Sequence, residues 1–376
     1  MTSPGYDVVI AGAGIVGAAC AAECARAGMR VAVIEAALIG GGATAAGMGH
    51  IVVMDDSEAQ FALTRYSQVL WNELAGELTP DVEFEACGTI WVAADDEEMA
   101  EVWRKKKYYE DRGVPVEILD ARALAGAEPN LRHGLAGGLL VSCDSVIYTP
   151  CAARFLIEQA QGRGATVRLG CAVVELTGRG ARLSDGSFVP ADLTVNAAGT
   201  WSPMLTPGLD VRKRKGHLVI TDRYPGFVHH QLVELGYLKS AHTLTTDTVA
   251  FNVQPRRTGQ LLIGSSRQFG VEETEVDPGI LGRMIDRACE YMPGLRALSA
   301  IRTWTGFRAA TPDKLPLIGP CPGHENLFLA TGHEGLGITT APGTARLLVD
   351  QLLRRPSAIP IEPYLPSRVY QESPHV

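Results

Sequence analysis

Gly12, Gly14 and Gly17 stand in GxGxxG spacing between an apolar run at residues 7–11 and a stretch of small residues. That spacing suits a phosphate site. Gly12 permits a tight turn, Gly14 lets a pyrophosphate reach the backbone, and Gly17 allows close helix–strand contact. A helix starting there offers amides and partial positive charge to the phosphates, with Ala13, Ile15 and Val16 supplying main chain. Glu35, with Ala36 beside it, is spaced to accept ribose hydroxyls, and an acid there disfavours a 2′-phosphate and hence NADP. NAD and FAD both remain open on these residues alone. Far along the chain, Arg308 ends the run WTGFR before a turn signalled by Pro312. Its planar fork matches a carboxylate with two parallel hydrogen bonds.

Two more glycine-rich segments bear on the cofactor. LIGGGATAAGMGH, residues 38–50, follows the acid directly and carries Gly42, Ala43, Thr44, Gly47, Met48 and Gly49. A plain nicotinamide fold has no need of it, and it resembles the loop with which FAD oxidoreductases follow the cofactor from ribose toward the isoalloxazine. ADLTVNAAGTWS, residues 191–202, runs a strand into Ala198, Gly199 and Trp201, where a second backbone can come close. Together the two favour FAD. Near the end, TGHEGLGITTAPGTARLLVDQLL opens with Gly332, Gly335 and Gly337 and continues as an amphipathic helix. Glycine costs a helix stability, so this cluster marks a close approach to the backbone.

These residues need elements to position them. Residues 7–11 read as a strand, 15–27 as a helix closed by Gly28, and 30–34 as a second strand. Residues 151–176 read as helix, turn, strand and strand, placing Val173 and Val174 to bracket an adenine through their backbone. GTIWVA (88–93) is strand-like and residues 96–113 form a helix with a charged face. GHLVITDR, LLIGSSRQF and the strand ending at residues 304–308 have the alternation of an antiparallel sheet.

In order along nearly the whole chain, GAGIVG, TAAGMG, NAAGTWS, TWTGFRAATPDKLPLIGP and ATGHEGLGITTAPGTARLL resemble the FAD-dependent D-amino-acid oxidase family. That family includes glycine oxidase, sarcosine oxidase and D-amino-acid or D-hydroxyproline dehydrogenases. AAGMG is similar to the glycine oxidase branch, and GHEGLGITTAPGTA to the D-hydroxyproline dehydrogenase and cyanide-synthase-like branch. The resemblance implies an α/β (α+β overall) fold: a Rossmann-like FAD-binding domain at 1–82, 137–210 and 302–376, interleaved with an antiparallel-sheet substrate domain at 83–136 and 211–301. It implies that Gly332, His333, Glu334, Gly335, Leu336, Gly337 and Ile338 wrap the pyrimidine end of the flavin. The amides of Leu336 and Ile338 would then favour the anionic reduced ring. It also implies that Arg308 holds a substrate carboxylate beside the flavin.

The activity implied is oxidation of a D-amino acid or cyclic secondary amino acid, D-hydroxyproline-like by preference, with hydride passing to flavin N5 and an imine leaving. No general base is named. Arg308, Ala309 and Ala310 stand where monomeric sarcosine oxidase has its flavin-linking cysteine, so the FAD is expected to be noncovalent. Two alternatives accompany this reading: an oxygen-using oxidase of the glycine, D-amino-acid or sarcosine type, and a flavin-bearing subunit passing electrons to an iron–sulfur partner. Met48 and His50 should lie near the ring, although Met48 also suits simple packing and a lone histidine is more often structural. Tyr237, in ELGYLKS, can hydrogen-bond a carboxylate or a ring hydroxyl. His229 and His230 lack a third ligand at metal spacing and read as loop, so no metal is expected.

With 376 residues, 46% of them hydrophobic and 20% charged, the chain has room for two domains with real cores. A formal charge of −8 disfavours a nucleic-acid partner, and RKRK at residues 212–215 reads as a solvated strand end. Eight cysteines without a CxxC pair read as free thiols of a reducing compartment. The apolar stretch 8–22 lacks a basic start and is preceded by Asp7, which argues against a signal peptide. A cytoplasmic protein without transmembrane spans is expected.

Overall fold

In the computed structural model, which describes residues 5–236 and 247–369, the chain builds two large sheets that meet along one seam. The first runs in the order Leu317–Pro320, Leu327–Thr331, Phe188–Asn196, Tyr6–Ala11, Val31–Glu35, Thr166–Leu169. All of its pairings are parallel except the edge pair Leu317–Pro320 with Leu327–Thr331. Parallel strands are covered on both faces, which is why Val8–Ala11 and Val31–Ile34 are continuous apolar runs and almost wholly buried. Val173–Thr177 and Gly180–Leu183 form an antiparallel extension beside Phe188–Asn196.

Helix Ile15–Arg26 packs between Thr149–Gly162 and Gly337–Leu352. Any side chain at Gly17 would collide with the carbonyl oxygen of Gly12 and crowd Ala197, so the contact of this helix with the turn and strand end beneath it demands glycine. Helix Gly337–Leu352 contains Pro342, which cannot donate to the carbonyl four residues earlier. That carbonyl, Ile338 O, instead accepts from Trp71 Nε1 at 3.1 Å, and the same indole reaches Thr339 O at 3.1 Å. Trp71 is completely buried in helix Glu58–Leu74, whose start Ser57 caps by accepting from Gln60 N.

The second sheet has nine strands in the order His333–Glu334, Ala300–Ala310, Arg212–Thr221, Leu261–Phe269, Thr248–Pro255, Gln231–Glu234, Thr89–Ala93, Gly137–Val141, Val116–Asp120. Only Gln231–Glu234 with Thr89–Ala93 is parallel. Its own core gathers Ile90, Leu232, Phe251, Ile263 and Met284. The chain leaves this sheet at Ala310 to enter the first at Leu317, then returns from Thr331 to the second at His333. These two crossings form the seam.

Hydrogen bonding departs from the sequence expectations at three places. Gly137–Val141 pairs with Thr89–Ala93 and Val116–Asp120, so it lies across the boundary expected at residue 137. Ala300–Ala310 likewise runs across the boundary expected at 302 as one uninterrupted strand of the second sheet. A strand carries no local mark of which sheet will accept it. The RKRK run is a solvated end only in its first half: Arg212 is exposed and Lys213 half-buried, but Arg214 and Lys215 are 5% and 2% exposed, because Arg212–Thr221 has neighbours on both sides. Lys215 Nζ donates to Glu275 O at 2.5 Å. All eight cysteines are free thiols. No helix among the described residues is long and apolar enough to cross a membrane.

Candidate active site

A cavity of about 680 Å³ opens along the seam. Its first wall is the GxGxxG turn. Gly12 has φ +106°, and a Cβ there would stand 2.6 Å from Ala197 O, so only glycine fits. Glu35 closes the adjoining strand with its carboxylate pinned: Oε2 accepts from Ala13 N at 2.7 Å and Oε1 from Ala37 N at 2.9 Å. Each oxygen keeps acceptor capacity for a ligand hydroxyl. Thr44 Oγ1 accepts from Ile15 N at 3.0 Å, tying the second glycine loop to the start of the first helix.

Gly14, Ile15, Val16, Glu35 and Ala36 line this end, with Gly42, Ala43 and Thr44 opposite. Val173, Val174, Ala198, Gly199 and Trp201 form a second side, and Gly47, Met48, Gly49 and His50 continue the wall. Gly332, His333, Glu334, Gly335, Gly337 and Ile338 close the far end. Segments more than three hundred residues apart thus converge on one space.

Three expected lining residues do not face it. Ala13 is fully buried behind the turn, and its amide is spent on Glu35. Gly17 is buried against Gly12 and Ala197, in the close helix–strand contact its spacing predicts. The Leu336 amide donates to His333 O at 3.0 Å, and Leu336 itself lines a smaller adjoining chamber, so the role expected of that amide is taken up by the turn. Tyr237 lies outside the described residues.

Met48 both lines the cavity and packs against Leu218 and Leu262, while its carbonyl accepts from Gln254 Nε2 at 2.6 Å. His50 is held on both ring nitrogens. Gln231 Nε2 donates to Thr89 Oγ1 and Ser145 O, which turns Gln231 Oε1 toward His50 Nδ1 and makes that nitrogen the protonated one. His50 Nε2 then accepts from Asn252 Nδ2 at 3.3 Å. Burial holds its pKa below the ordinary 6.5, with the Arg308 and Arg256 charges acting the same way against the Gln231 bond. His50 is therefore a neutral wall residue. His333 is neutral too, pushed by burial to about 3, and its Nε2 lies 2.9 Å from Thr344 Oγ1.

Arg308 lies where the two sheets face one another. Sheet register sets Arg308 opposite Arg214 and Gly306 opposite Gly216, all on one face. The guanidinium lies flat against Gly216, where a Cβ would come within 2.6 Å of Nη1. Nη1 donates to Ser266 O at 3.1 Å, and Ser266 Oγ accepts from His217 N at 2.9 Å. The fork is thus oriented by main chain and by a glycine gap.

Over residues 7–351 the sequence matches the family described as FAD dependent oxidoreductase, DAO. The chain belongs to the DAO family. Glycine oxidase of Pseudomonas aeruginosa is 31% identical, over 96% of this chain and 98% of that protein. Hydrogen cyanide synthase subunit HcnC of the same organism is 28% identical over 98% and 97%. The crystal structure of glycine oxidase from Geobacillus kaustophilus covers both chains completely with a TM-score of 0.87 at 26% identity. The protein is therefore an FAD-dependent oxidoreductase.

The DAO cofactor fits this lining on its own chemistry. The glycine turn leaves backbone exposed where any Cβ would fill the space, and Glu35 offers pinned acceptors beside it. The family motifs did not single out Gly216, Ser266, Arg214 or Arg267. A usable signal was present for the first and third: in RKRKG, period two puts Arg214 and Gly216 on one face. Ser266 and Arg267 enter only through sheet pairing.

Proposed function

We propose that the protein oxidises the carbon–nitrogen bond of a D-amino acid or cyclic secondary amino acid, with Arg308 holding the substrate carboxylate. The observation carrying this reading is Arg308 itself, an oriented guanidinium on the wall of a cavity that glycine-rich segments otherwise line. Bound noncovalently, FAD would accept two electrons from the donor. Gly12, Gly14 and Glu35 would hold its pyrophosphate and ribose, and the segment from Gly332 to Ile338 its far end. The neutral His50 and the packed Met48 side chain would shape the substrate's surroundings and exclude water rather than exchange protons. The first sheet would serve the cofactor and the second the substrate.

A D-hydroxyproline-like ring is the donor to which GHEGLGITTAPGTA points, on resemblance alone. The match to a cyanide synthase subunit supports a second reading, a flavin-bearing subunit whose electrons pass to an iron–sulfur partner. The free cysteines suit a reducing compartment, and we place the protein in the cytoplasm. The test is purified, FAD-loaded protein offered a panel of D- and cyclic amino acids, with a redox dye and oxygen as alternative acceptors. Flavin bleaching by a member of that panel supports the reading. A flavin that no amino acid reduces overturns it.

A further inference from the structure

Trp91, Val233 and Asn252 stand side by side on one face of the second sheet, because the register pairs Val233 with both of the others. This face, the first turn of helix Glu58–Leu74 at Gln60, and Arg214 border a chamber of about 100 Å³. It shares His50, Asn252, Glu334 and Gly335 with the main cavity, so the two spaces adjoin.

Gln60 Oε1, Trp91 Nε1, Arg214 Nε and Asn252 Oδ1, all on residues that line this chamber, are buried without a hydrogen-bond partner among the described residues. Gln60, Trp91 and Asn252 are 8%, 3% and 7% exposed, so bulk water does not serve them. Other contacts hold three of these groups in place. Asn252 Nδ2 donates to His50 Nε2 at 3.3 Å, which turns Oδ1 away from that ring. Arg214 Nη1 lies 2.7 Å from Glu334 Oε1, and Arg267 Nε lies 3.8 Å from the same oxygen. Lys105 Nζ sits 4.6 Å from the centre of the Trp91 ring. A buried donor or acceptor left unmet costs about 1–3 kcal/mol, so a set of them around one space marks a place that a polar group completes.

The set has two acceptors and two donors, and that inventory selects the group. A carboxylate brings no proton for Gln60 or Asn252. An ammonium brings no acceptor for Trp91 or Arg214. A hydroxyl has one proton for two acceptors, and a hydrocarbon satisfies neither kind. A primary carboxamide has two N–H bonds and an oxygen with two lone pairs, which matches the set. Its three heavy atoms fit a volume that would hold several waters.

We propose that this chamber is a side-chain subsite for a primary carboxamide, so that the preferred donor is D-asparagine or D-glutamine. This rests on the role given to Arg308 above, as the clamp on the α-carboxylate. The carboxamide N–H bonds go to Gln60 Oε1 and Asn252 Oδ1, and its oxygen accepts from Trp91 Nε1 and Arg214 Nε. Asn252, on the wall common to both spaces, is where the side chain passes from the main cavity into the chamber.

The experiment uses FAD-loaded full-length protein. Perturbation of the flavin absorbance spectrum reads the binding of succinamate and glutaramate, which carry the carboxamide but no amine. Their controls are 4-methylpentanoate and 5-methylhexanoate, of the same shape with an apolar end, and the acids succinate and glutarate. Anaerobic flavin reduction is then compared for D-asparagine against D-leucine and D-aspartate, and for D-glutamine against D-homoleucine and D-glutamate. We expect one of the two amides to bind at least about tenfold tighter than both of its controls, and the matching D-amino acid to lead its own controls about a hundredfold in kcat/KM. The length that leads reports the depth of the chamber. Gln60→Leu and, independently, Trp91→Phe should each cut that lead at least about tenfold with FAD content retained. Amides that bind no tighter than either control in the parent protein overturn the subsite and show a chamber that holds only water. Tight amide binding without reduction by any amino acid leaves the subsite standing and overturns the amine-donor reading; reduction by D-leucine as fast as by D-asparagine and D-glutamine does the reverse.

Discussion

At the scale of single residues, Arg308 is the side chain on which catalysis is expected to depend most. Removing it would leave a substrate carboxylate unpaired beside a neutral His50 and the Gly216 gap. Arg308→Ala should therefore cost about 2–5 kcal/mol in kcat/KM, roughly thirtyfold to several thousandfold. Arg308→Lys should recover only part of the loss, since an ammonium cannot reproduce the fork. FAD content should stay near that of the parent in both, and steady-state kinetics beside a flavin spectrum read the two effects separately. Near-normal turnover by folded Arg308→Ala protein would refute the clamp. Glu35 works differently, because it is already bonded to the Ala13 and Ala37 amides and so reaches a ribose preorganised. Glu35→Ala should weaken FAD binding by about 1.5–3 kcal/mol, measured by titrating apoprotein with FAD. Unchanged affinity would mean that the ribose is held elsewhere.

At the scale of elements, the seam depends on how two helices share hydrogen-bonding capacity. Pro342 leaves Ile338 O without its helical donor just where the chain lines the cavity, and Trp71 supplies the replacement. Trp71→Phe keeps most of the packing but removes that N–H. We expect a loss of about 1–3 kcal/mol in stability, seen as a lower denaturant midpoint at unchanged slope. A midpoint equal to the parent's would show that the carbonyl is satisfied by other means.

At the scale of the whole molecule, two properties can be measured without a substrate. Purified protein should be yellow and should release FAD into the supernatant on denaturation, because no cysteine stands at the position of the flavin link. Flavin that sediments with the chain would overturn noncovalent binding. The second property is a pH dependence from Asp144, a buried carboxyl that accepts from Gln68 Nε2 at 2.9 Å and Val53 N at 3.2 Å. Burial raises its pKa from 3.8 to about 7. Between those values the folded chain holds a proton that the unfolded chain has released. The stability this proton confers is complete below pH 3.8 and is lost as pH rises through about 7. Asp144→Asn should thus gain on the parent across that window and level off above it, by at most roughly 4 kcal/mol. Thermal melts that stay parallel between pH 5 and pH 8 would refute the assignment.

What could be read from the sequence was whatever is set by neighbours along the chain. The glycine turn, its strand and helix, the acid at Glu35 and the glycines before the last helix are local backbone requirements, so their spacing suffices to mark them. Arg308 was legible because a turn fixes the end of its strand. What only the tertiary structure decided depends on register between strands far apart in sequence. Arg214 stands opposite Arg308, Gly216 gives the guanidinium its resting place, and Arg267 joins from a third strand. No local pattern distinguishes a charged strand end in solvent from one enclosed by two neighbours, which is why RKRK reads as surface until the sheet is seen. The same holds for Gly137–Val141, an apolar strand that either sheet could have accepted, and for Leu336, whose amide was claimed by a turn rather than by a ligand.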